Sequence, residues 1–324
     1  MYSISFYLWM TDMRATLHQL KIFQQVAALM SYSGAANKLN LTQPAVSIQI
    51  KQLEENLGLA LFEKIGKQVF LTSAGKEFNA FCMDIFTRID NMDMKLSAMK
   101  GQLEGDFHLA AVTSAKYFTP HLLGAFHKRY PKVNLHLDVV NRGQIIQRLK
   151  DNKDDLVIMG LVPENLPLTR HPIIDNPIII VANPAHPLAK KKNIPLGELL
   201  KHDFIFRENG SGTRKALEDF LLLNQLKLTP SMILGSSETI KQAVMADLGI
   251  SALSRHSVTL ELATNSLVEL DVLSFPLVRR WYLVHHETKR LSPAAQTFID
   301  LILYEKETVA SLCNRFLETQ FISQ

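Results

Sequence analysis

Apolar residues recur at helical spacing from Leu17 to Leu29, where Leu17, Leu20, Phe23, Val26 and Ala27 predict a first amphipathic helix. Ser31 and Ser33 offer caps for a short second helix through GAANKL, whose small side chains permit close approach to a neighbour. After a tight turn at NLT, Thr42 supplies an N-cap and Pro44 fits the first helical turn, where a missing amide does no harm. In this third helix Val46, Ile50, Leu53 and Leu57 fall at i, i+4, i+7 and i+11 and face inward. Gln43, Ser47, Gln49, Lys51 and Gln52 remain on or near the outer side. The run LFEKIGKQVFLT, residues 61–72, reads as a hairpin turning at Gly66 with Lys64 and Lys67 flanking the turn. Ser73 then caps a long helix in which Phe78, Phe81, Ile85, Ile89, Met92, Leu96 and Met99 recur at steps of three or four. That narrow seam is closer to period 3.5 than to a broad core face, and it predicts pairing of helices from two chains. Beyond Gly105 the texture changes to β-rich runs (DFHLAAV, VNLHLDVV, DLVIMGL, then DFIFRE, SMILG, ISALS) alternating with helical patterns. Such β-α-β repetition predicts doubly wound α/β lobes with a cleft between them.

Composition narrows the class. At 324 residues and 47% hydrophobic content the chain can bury more than one core. Its two cysteines, Cys82 and Cys313, lie far apart without ligand spacing, which favours ordinary packing in a reducing cytoplasm. The opening MYSISFYLWM lacks a basic leader and a small-residue cleavage site, so it reads poorly as an export signal. No run approaches the roughly 20 apolar residues of a membrane span. The net charge of +4 is unevenly placed. Residues 13–76 hold seven basic side chains and three acidic ones, and the rest of the chain holds 28 of each. The whole positive excess therefore sits on the N-terminal helices and hairpin, where it points to a polyanion partner.

A short helix, a turn and a helix with an amide and hydroxyl face meet the requirements of major-groove reading. Glutamine can bond adenine bidentately, serine is adaptable, and lysine holds phosphate. A small bundle whose polar face merely meets water is the alternative, although such faces are usually richer in Glu and Lys. The hairpin following the helix suits a wing that tracks the DNA backbone. The stretch TQPAVSIQIKQLEENLGLALFEKIGKQVFLTSAG resembles the winged helix-turn-helix of LysR-type bacterial transcription regulators, most densely over residues 17–75. Two positions depart from the common pattern: Lys64, where the family usually has Arg, and Ile48, where many members are polar. Ile48 can either touch a thymine methyl or pack at the helix edge. The candidate DNA-binding residues are Ser33, Thr42, Gln43, Pro44, Ser47, Gln49, Lys51, Lys64 and Lys67. By resemblance the long helix is the family's dimerisation element, carried by Phe78, Phe81, Ile85, Ile89, Met92 and Leu96, and joins two reading heads on a repeated target. Pairing of such dimers into tetramers is implied by the family alone.

In the C-terminal two thirds, strand ends leading into helices mark the candidate ligand site. Thr113 and Ser114 follow the first strand. In FRENGSGTRKAL, Ser211, Thr213 and Arg214 sit between a strand and a helix, with Arg207 just before them. Hydroxyls, free amides and guanidinium groups in that arrangement suit a carboxylate or phosphate. Simple helix capping is the bland reading of SGT. Arg142 completes the candidate effector set. The pieces RENGSGTR, SSETIKQAVMADLGIS and RRWYLVHHETKRLSPAAQTF resemble the LysR-type branch controlling carbon dioxide fixation (RuBisCO) operons. That branch implies anionic coinducers such as phosphorylated or carboxylated metabolites, and no other cofactor. The expected organisation is a winged helix-turn-helix over 14–72 and a linker helix over 73–104. A periplasmic-binding-protein-like effector domain follows, with lobe I at 105–161 and 268–303, lobe II at 162–267, and a C-terminal extension at 304–324.

Two rival classes remain. A solute-binding protein would share the two-lobed cleft, but it leaves the N-terminal head and the missing export signal unexplained. An enzyme would need a motif, and the sequence has no Walker loop, no G-x-S-x-G elbow, no H-E-x-x-H and no clustered Cys and His. No catalytic residues are expected. Adjacent His285 and His286 alternate faces on a strand, so one is expected buried and no metal site is expected. The partners expected are double-stranded promoter DNA, a small-molecule effector and a second copy of the chain. RNA polymerase is admitted as a further partner, and a membrane is not.

Overall fold

The computed structural model describes residues 15–304 with the exception of Lys67. The expected C-terminal extension, Cys313 and the phosphate role of Lys67 therefore fall outside the described residues. The chain divides after Met92 into two compact units.

The first unit begins with α1 (Leu17–Leu29), α2 (Tyr32–Leu39) and α3 (Gln43–Leu57). Each is started by a side-chain cap. Thr16 and Gln19 form a reciprocal capping box, Ser31 accepts from Gly34 N, and Thr42 accepts from Ala45 N. Ser33, offered as an alternative cap, is instead an exposed residue of α2. The strands β1 (Phe62–Ile65) and β2 (Gln68–Leu71) pair antiparallel as a hairpin, and Gly66 takes φ +64°, a left-handed value that suits glycine. Glu54 on α3 ties this wing down, its Oε1 accepting from Leu61 N (2.7 Å) and Phe62 N (3.1 Å). The core joins Phe23, Val26, Val46, Ile50 and Leu53 with Leu61 and Cys82. Leu17, predicted on the inner face of α1, is 52% exposed at the first position of the helix, whereas Leu20 one turn on is buried.

Helix α4 (Ser73–Met99) does not present one uniform seam. Phe78, Ile85 and Phe86 pack beside Cys82 into the core of the first unit, whereas Phe81, Ile89, Met92, Leu96 and Met99 are exposed. The core of the first unit takes side chains only from the N-terminal half of α4, so Ile89 and Leu96, on the same side as Phe78 and Ile85 but further along, are left outside it.

The second unit runs through β3 (Gly105–Val112), α5 (Thr119–Arg129), β4 (Val133–Val140), α6 (Arg142–Lys150), β5 (Leu156–Met159) and β6 (Leu168–Ala182). It continues with α7 (Leu196–Leu199), β7 (Phe204–Arg207), α8 (Gly212–Leu223), β8 (Met232–Leu234), α9 (Ser237–Met245) and β9 (Ile250–Ser254). It closes with α10 (Thr259–Ala263), β10 (Val268–Glu269), β11 (Leu277–His286) and α11 (Pro293–Tyr304). The strand order is β4-β3-β5-β11-β6-β9-β7-β8, with β10 beside β6. Two parallel groups, β4-β3-β5 and β9-β7-β8, are joined by the long strands β6 and β11, which pair antiparallel with each other and with their neighbours. The doubly wound pattern thus holds in the two parallel groups, and the crossover strands β6 and β11 between them are antiparallel. One core, around Phe107, Phe126, Trp281 and Phe298, belongs to lobe I. A second, around Ile178, Phe204, Phe206 and Leu217, belongs to lobe II. Leu270, Val272 and Leu277, expected in lobe I, pack in this second core, since the chain returns to lobe I only along β11.

Candidate functional site

The second unit contains a cleft with ≈ 450 Å³ of empty space, counting its open mouth. Its floor is the crossover pair: Asn176 and Ile178 on β6, Arg279 and Trp281 on β11. One wall is the carboxyl end of β3 with Thr113 and Ser114, and the other is the first turn of α8 with Ser211, Gly212 and Thr213. Arg142, at the start of α6, completes the lining.

Among the described residues no acidic side chain lines this space, whereas donors do. Trp281 is 1% exposed, and its Nε1 finds no acceptor among the described residues. The buried Nε of Arg279 is likewise unpartnered. Asn176 Oδ1 accepts from Ser254 Oγ at 2.7 Å, so its remaining polar end is the donating amide. Thr113 Oγ1 accepts from Arg207 at 3.0 Å, which leaves the Thr113 hydroxyl free to donate its own proton. Ser211 caps α8, and the open amides of that first turn favour negative charge. Arg142 Nε donates to Leu161 O at 2.9 Å, which fixes the side chain against the floor. Burial lowers the Arg142 pKa and the Asp219 charge opposes that shift, but a guanidinium stays protonated throughout. Donors without internal acceptors are costly to bury, about 1–3 kcal/mol each, so this cleft is complementary to an acceptor-rich anion.

Outside the cleft a polar clasp joins the lobes. Arg207, 2% exposed, donates to Glu208, Ser237 and Thr113 at once. Tyr117 Oη donates to Glu238 at 2.5 Å, and Lys241, 4% exposed, sits 2.8 Å from both Glu238 and Glu261. Burial pushes Glu238 upward in pKa, but hydrogen bonds from Lys241 and Tyr117 and the Lys241 and Lys116 charges hold it below its ordinary 4.5.

On the first unit, α3 turns Pro44, Ile48, Lys51 and Gln52 to solvent, with Gln43 also exposed and Ser47 and Gln49 half-buried beside them. Gln43 Nε2 donates to Ser47 Oγ at 2.7 Å, so the two form one polar unit. Ile48 is 55% exposed, which removes the packing alternative for it. Lys51 pairs with Glu55 at 3.6 Å while both stay open to water, a weak tie that phosphate can replace. Lys64 lies 5.4 Å over the Tyr32 ring, and burial followed by the Glu54 charge pushes that phenol up to about 12.

Comparison with known proteins settles the class. Residues 17–76 match the bacterial regulatory helix-turn-helix protein, lysR family, and residues 100–306 match the LysR substrate binding domain. The chain belongs to the LysR family. Among curated relatives of this LysR-type regulator is the HTH-type transcriptional activator CmpR of Synechocystis, 42% identical over 91% of this chain and 97% of that one. Another is the RuBisCO operon transcriptional regulator of Allochromatium vinosum, 43% identical over 90% and 97%. The Synechocystis CcmR regulatory domain, solved in complex with 2-PG, is 42% identical with a TM-score of 0.60, covering 62% of this chain and 97% of that one. The fold also matches a full-length OxyR variant of Pseudomonas aeruginosa at a TM-score of 0.69 and 22% identity, over 91% and 94% of the two chains.

Of the effector residues expected from sequence, the LysR-type cleft gathers Thr113, Ser114, Arg142, Ser211 and Thr213. Two expected cations are placed otherwise. Arg207 is committed to the clasp behind Thr113. Arg214 is turned along α8 onto Glu218 (2.7 Å) and the Arg207 carbonyl (3.1 Å), over the Phe206 ring. The residues missed were Asn176, Arg279 and Trp281. RRWYLVHH carried a signal, because an arginine and a tryptophan two positions apart share one face of a strand.

Proposed function

We propose that this regulator reads promoter DNA with the outer side of α3, pairs with a second copy through α4, and responds to a small anionic metabolite in the cleft. The observation that carries the effector assignment is the acid-free cleft with two buried unpartnered donors, Trp281 Nε1 and Arg279 Nε. CcmR, 42% identical, was solved with 2-PG, which supports a metabolite of that class here. A ligand bridging Thr113 on lobe I, the α8 amides on lobe II and Arg279 on the crossover favours whichever lobe arrangement brings all three within reach. It can shift the protein only by that difference in affinity. Among the described residues no helix is long and apolar enough to cross a membrane.

The α4 residues Phe81, Met92, Leu96 and Met99, 54%, 55%, 46% and 85% exposed, offer the apolar surface for pairing. Phe78 and Ile85 support the head from inside instead. Two linked heads gain affinity by effective concentration, so a dimer suits a repeated target. On DNA, Gln43 with Ser47, Gln49 and Ile48 would meet base edges, and Ser33, Thr42, Lys51 and Lys64 would meet phosphates.

Calorimetric titration with 2-PG tests the cleft. Arg279→Ala should weaken binding about tenfold or more through loss of a charged hydrogen bond, while Arg214→Ala should stay near wild type. The opposite ranking would return the anion to Arg214. Gel shifts across a salt series test the head. Lys64→Ala should weaken all sequences alike and flatten the salt slope by about one. Gln43→Ala should instead relax base preference. Equal, preference-neutral losses in both variants would overturn the division of roles.

A further inference from the structure

We propose that the effector domain carries a transition-metal site, separate from its cleft, built from Asp106, His108 and His136. The sequence hides it, because helix α5 separates Asp106 and His108 from His136 and no short ligand spacing links all three. The sheet reveals it. Strands β3 and β4 run parallel with Asp106 opposite Asn134 and His108 opposite His136. Side chains alternate along a strand, so these four stand on one face, with β4 at the sheet edge. Asp106, His108 and His136 are all exposed, while Phe107 and Leu109 between and beyond them are fully buried on the other face and hold the backbone rigid.

The donor atoms already converge. His136 Nε2 lies 3.4 Å from Asp106 Oδ1, and one donor atom from each of the three residues lies within 4.8 Å of the others. A zinc-like ion holding ligands at about 2.0–2.1 Å in a tetrahedron spaces them by about 3.4 Å. The Asp106–His136 pair is therefore at working separation. The remaining pairs need to close by no more than about 1.4 Å to reach that spacing, a change exposed rotamers can make. The two imidazoles stack with centroids 4.4 Å apart at 12°, so their lone pairs run side by side, and both exposed rings must tilt toward each other before their nitrogens meet one ion. Asn134 Nδ2 donates to Asp106 Oδ1 at 3.0 Å, an outer support that orients the ligating oxygen, whose second lone pair stays available to the metal.

Two imidazole nitrogens with one carboxylate oxygen select Zn²⁺, Ni²⁺ or Cu²⁺ over Mg²⁺ and Ca²⁺, which demand mostly oxygen. Three protein ligands leave a coordination position open to water or an incoming donor. Asp106 and His108 stand at the amino end of β3, and the cleft residue Thr113 follows its carboxyl end, so an ion here leaves the cleft donors untouched.

The test uses tag-free full-length protein, stripped with a chelator and titrated with Zn²⁺ against a chromophoric competitor, with Co²⁺ absorption as an independent readout. Wild type should bind one ion per chain with a dissociation constant below about 10 µM. His108→Ala and His136→Ala should each weaken binding about tenfold or more, and the double variant should lose the visible Co²⁺ band. His171→Ala, at a histidine remote from these strands, should behave as wild type. Unchanged thermal unfolding and unchanged 2-PG affinity in the double variant would show that the fold is intact. Failure of wild type to take a stoichiometric ion, or retention of wild-type binding by the double variant, overturns the assignment.

Discussion

Replacement of Trp281 by Phe separates what the indole does for the fold from what it does for the ligand. The ring is 1% exposed, packs 5.7 Å from the Phe118 ring, and contacts Gly160, where an added methyl would meet its edge at 3.6 Å. Truncation to phenyl removes roughly 40 Å³, which at about 24 cal/mol per Å³ costs about 1 kcal/mol of stability. The same change removes a buried donor that has no acceptor among the described residues, which returns up to about 1–3 kcal/mol in the ligand-free protein. The two effects oppose each other, so ligand-free stability should move by no more than about 2 kcal/mol, and in the stabilising direction if the donor dominates. Effector binding has no such compensation. If Nε1 donates to a charged oxygen of the ligand, its loss should cost about 1.5–3 kcal/mol, a fall of about 10- to 150-fold in affinity. Denaturant unfolding without ligand and calorimetry with 2-PG measure the two quantities on one preparation. A variant that keeps wild-type affinity would remove Trp281 from ligand recognition, and a variant that is strongly destabilised without ligand would show that Nε1 is satisfied in the free protein.

Two further outcomes follow from the structure. A Cβ at Gly75 would lie 2.0 Å from the Leu61 carbonyl oxygen, where α4 starts against the wing, so Gly75→Ala should destabilise the first unit by about 3 kcal/mol. Specific DNA binding should fall with it while 2-PG affinity holds, and an unaltered unfolding transition of the head would contradict the close contact. In the clasp, Tyr117→Phe should cost about 1 kcal/mol at neutral pH, a figure kept small because the Glu238 side chain is 49% exposed. Glu238 is depressed in the folded state, so its contribution is complete above about pH 4.5 and is lost as pH falls below that value. Thermal scans of both proteins should therefore converge as pH drops through that range; a difference that stays constant to pH 3 would show that Glu238 is not the partner that matters.

The sequence by itself determined the head. Caps at Ser31 and Thr42, Pro44, the inward stripe of Val46, Ile50 and Leu53, and the turn at Gly66 are local signals, and each element they specify is present because neighbours in sequence are neighbours in space. The strands and helix starts of the two parallel groups were legible for the same reason, as were Thr113, Ser211 and Thr213. What only the tertiary structure decided is whatever depends on register or on competition between partners. Strand β6, with Pro172 and Pro177 inside it, does not read as a central strand, yet it and β11 form the floor that carries Asn176, Arg279 and Trp281. Arg207 and Arg214 looked like anion ligands beside the SGT turn, but Arg214 lies along α8 onto Glu218, and Arg207 is held by the adjacent Glu208 and, only through folding, by the Thr113 and Ser237 hydroxyls. The histidines of β3 and β4 meet because parallel pairing sets position 108 against 136, a relation that no local pattern encodes. A chain states its short-range preferences in its own order, and it can state long-range pairings only once burial has chosen which faces meet.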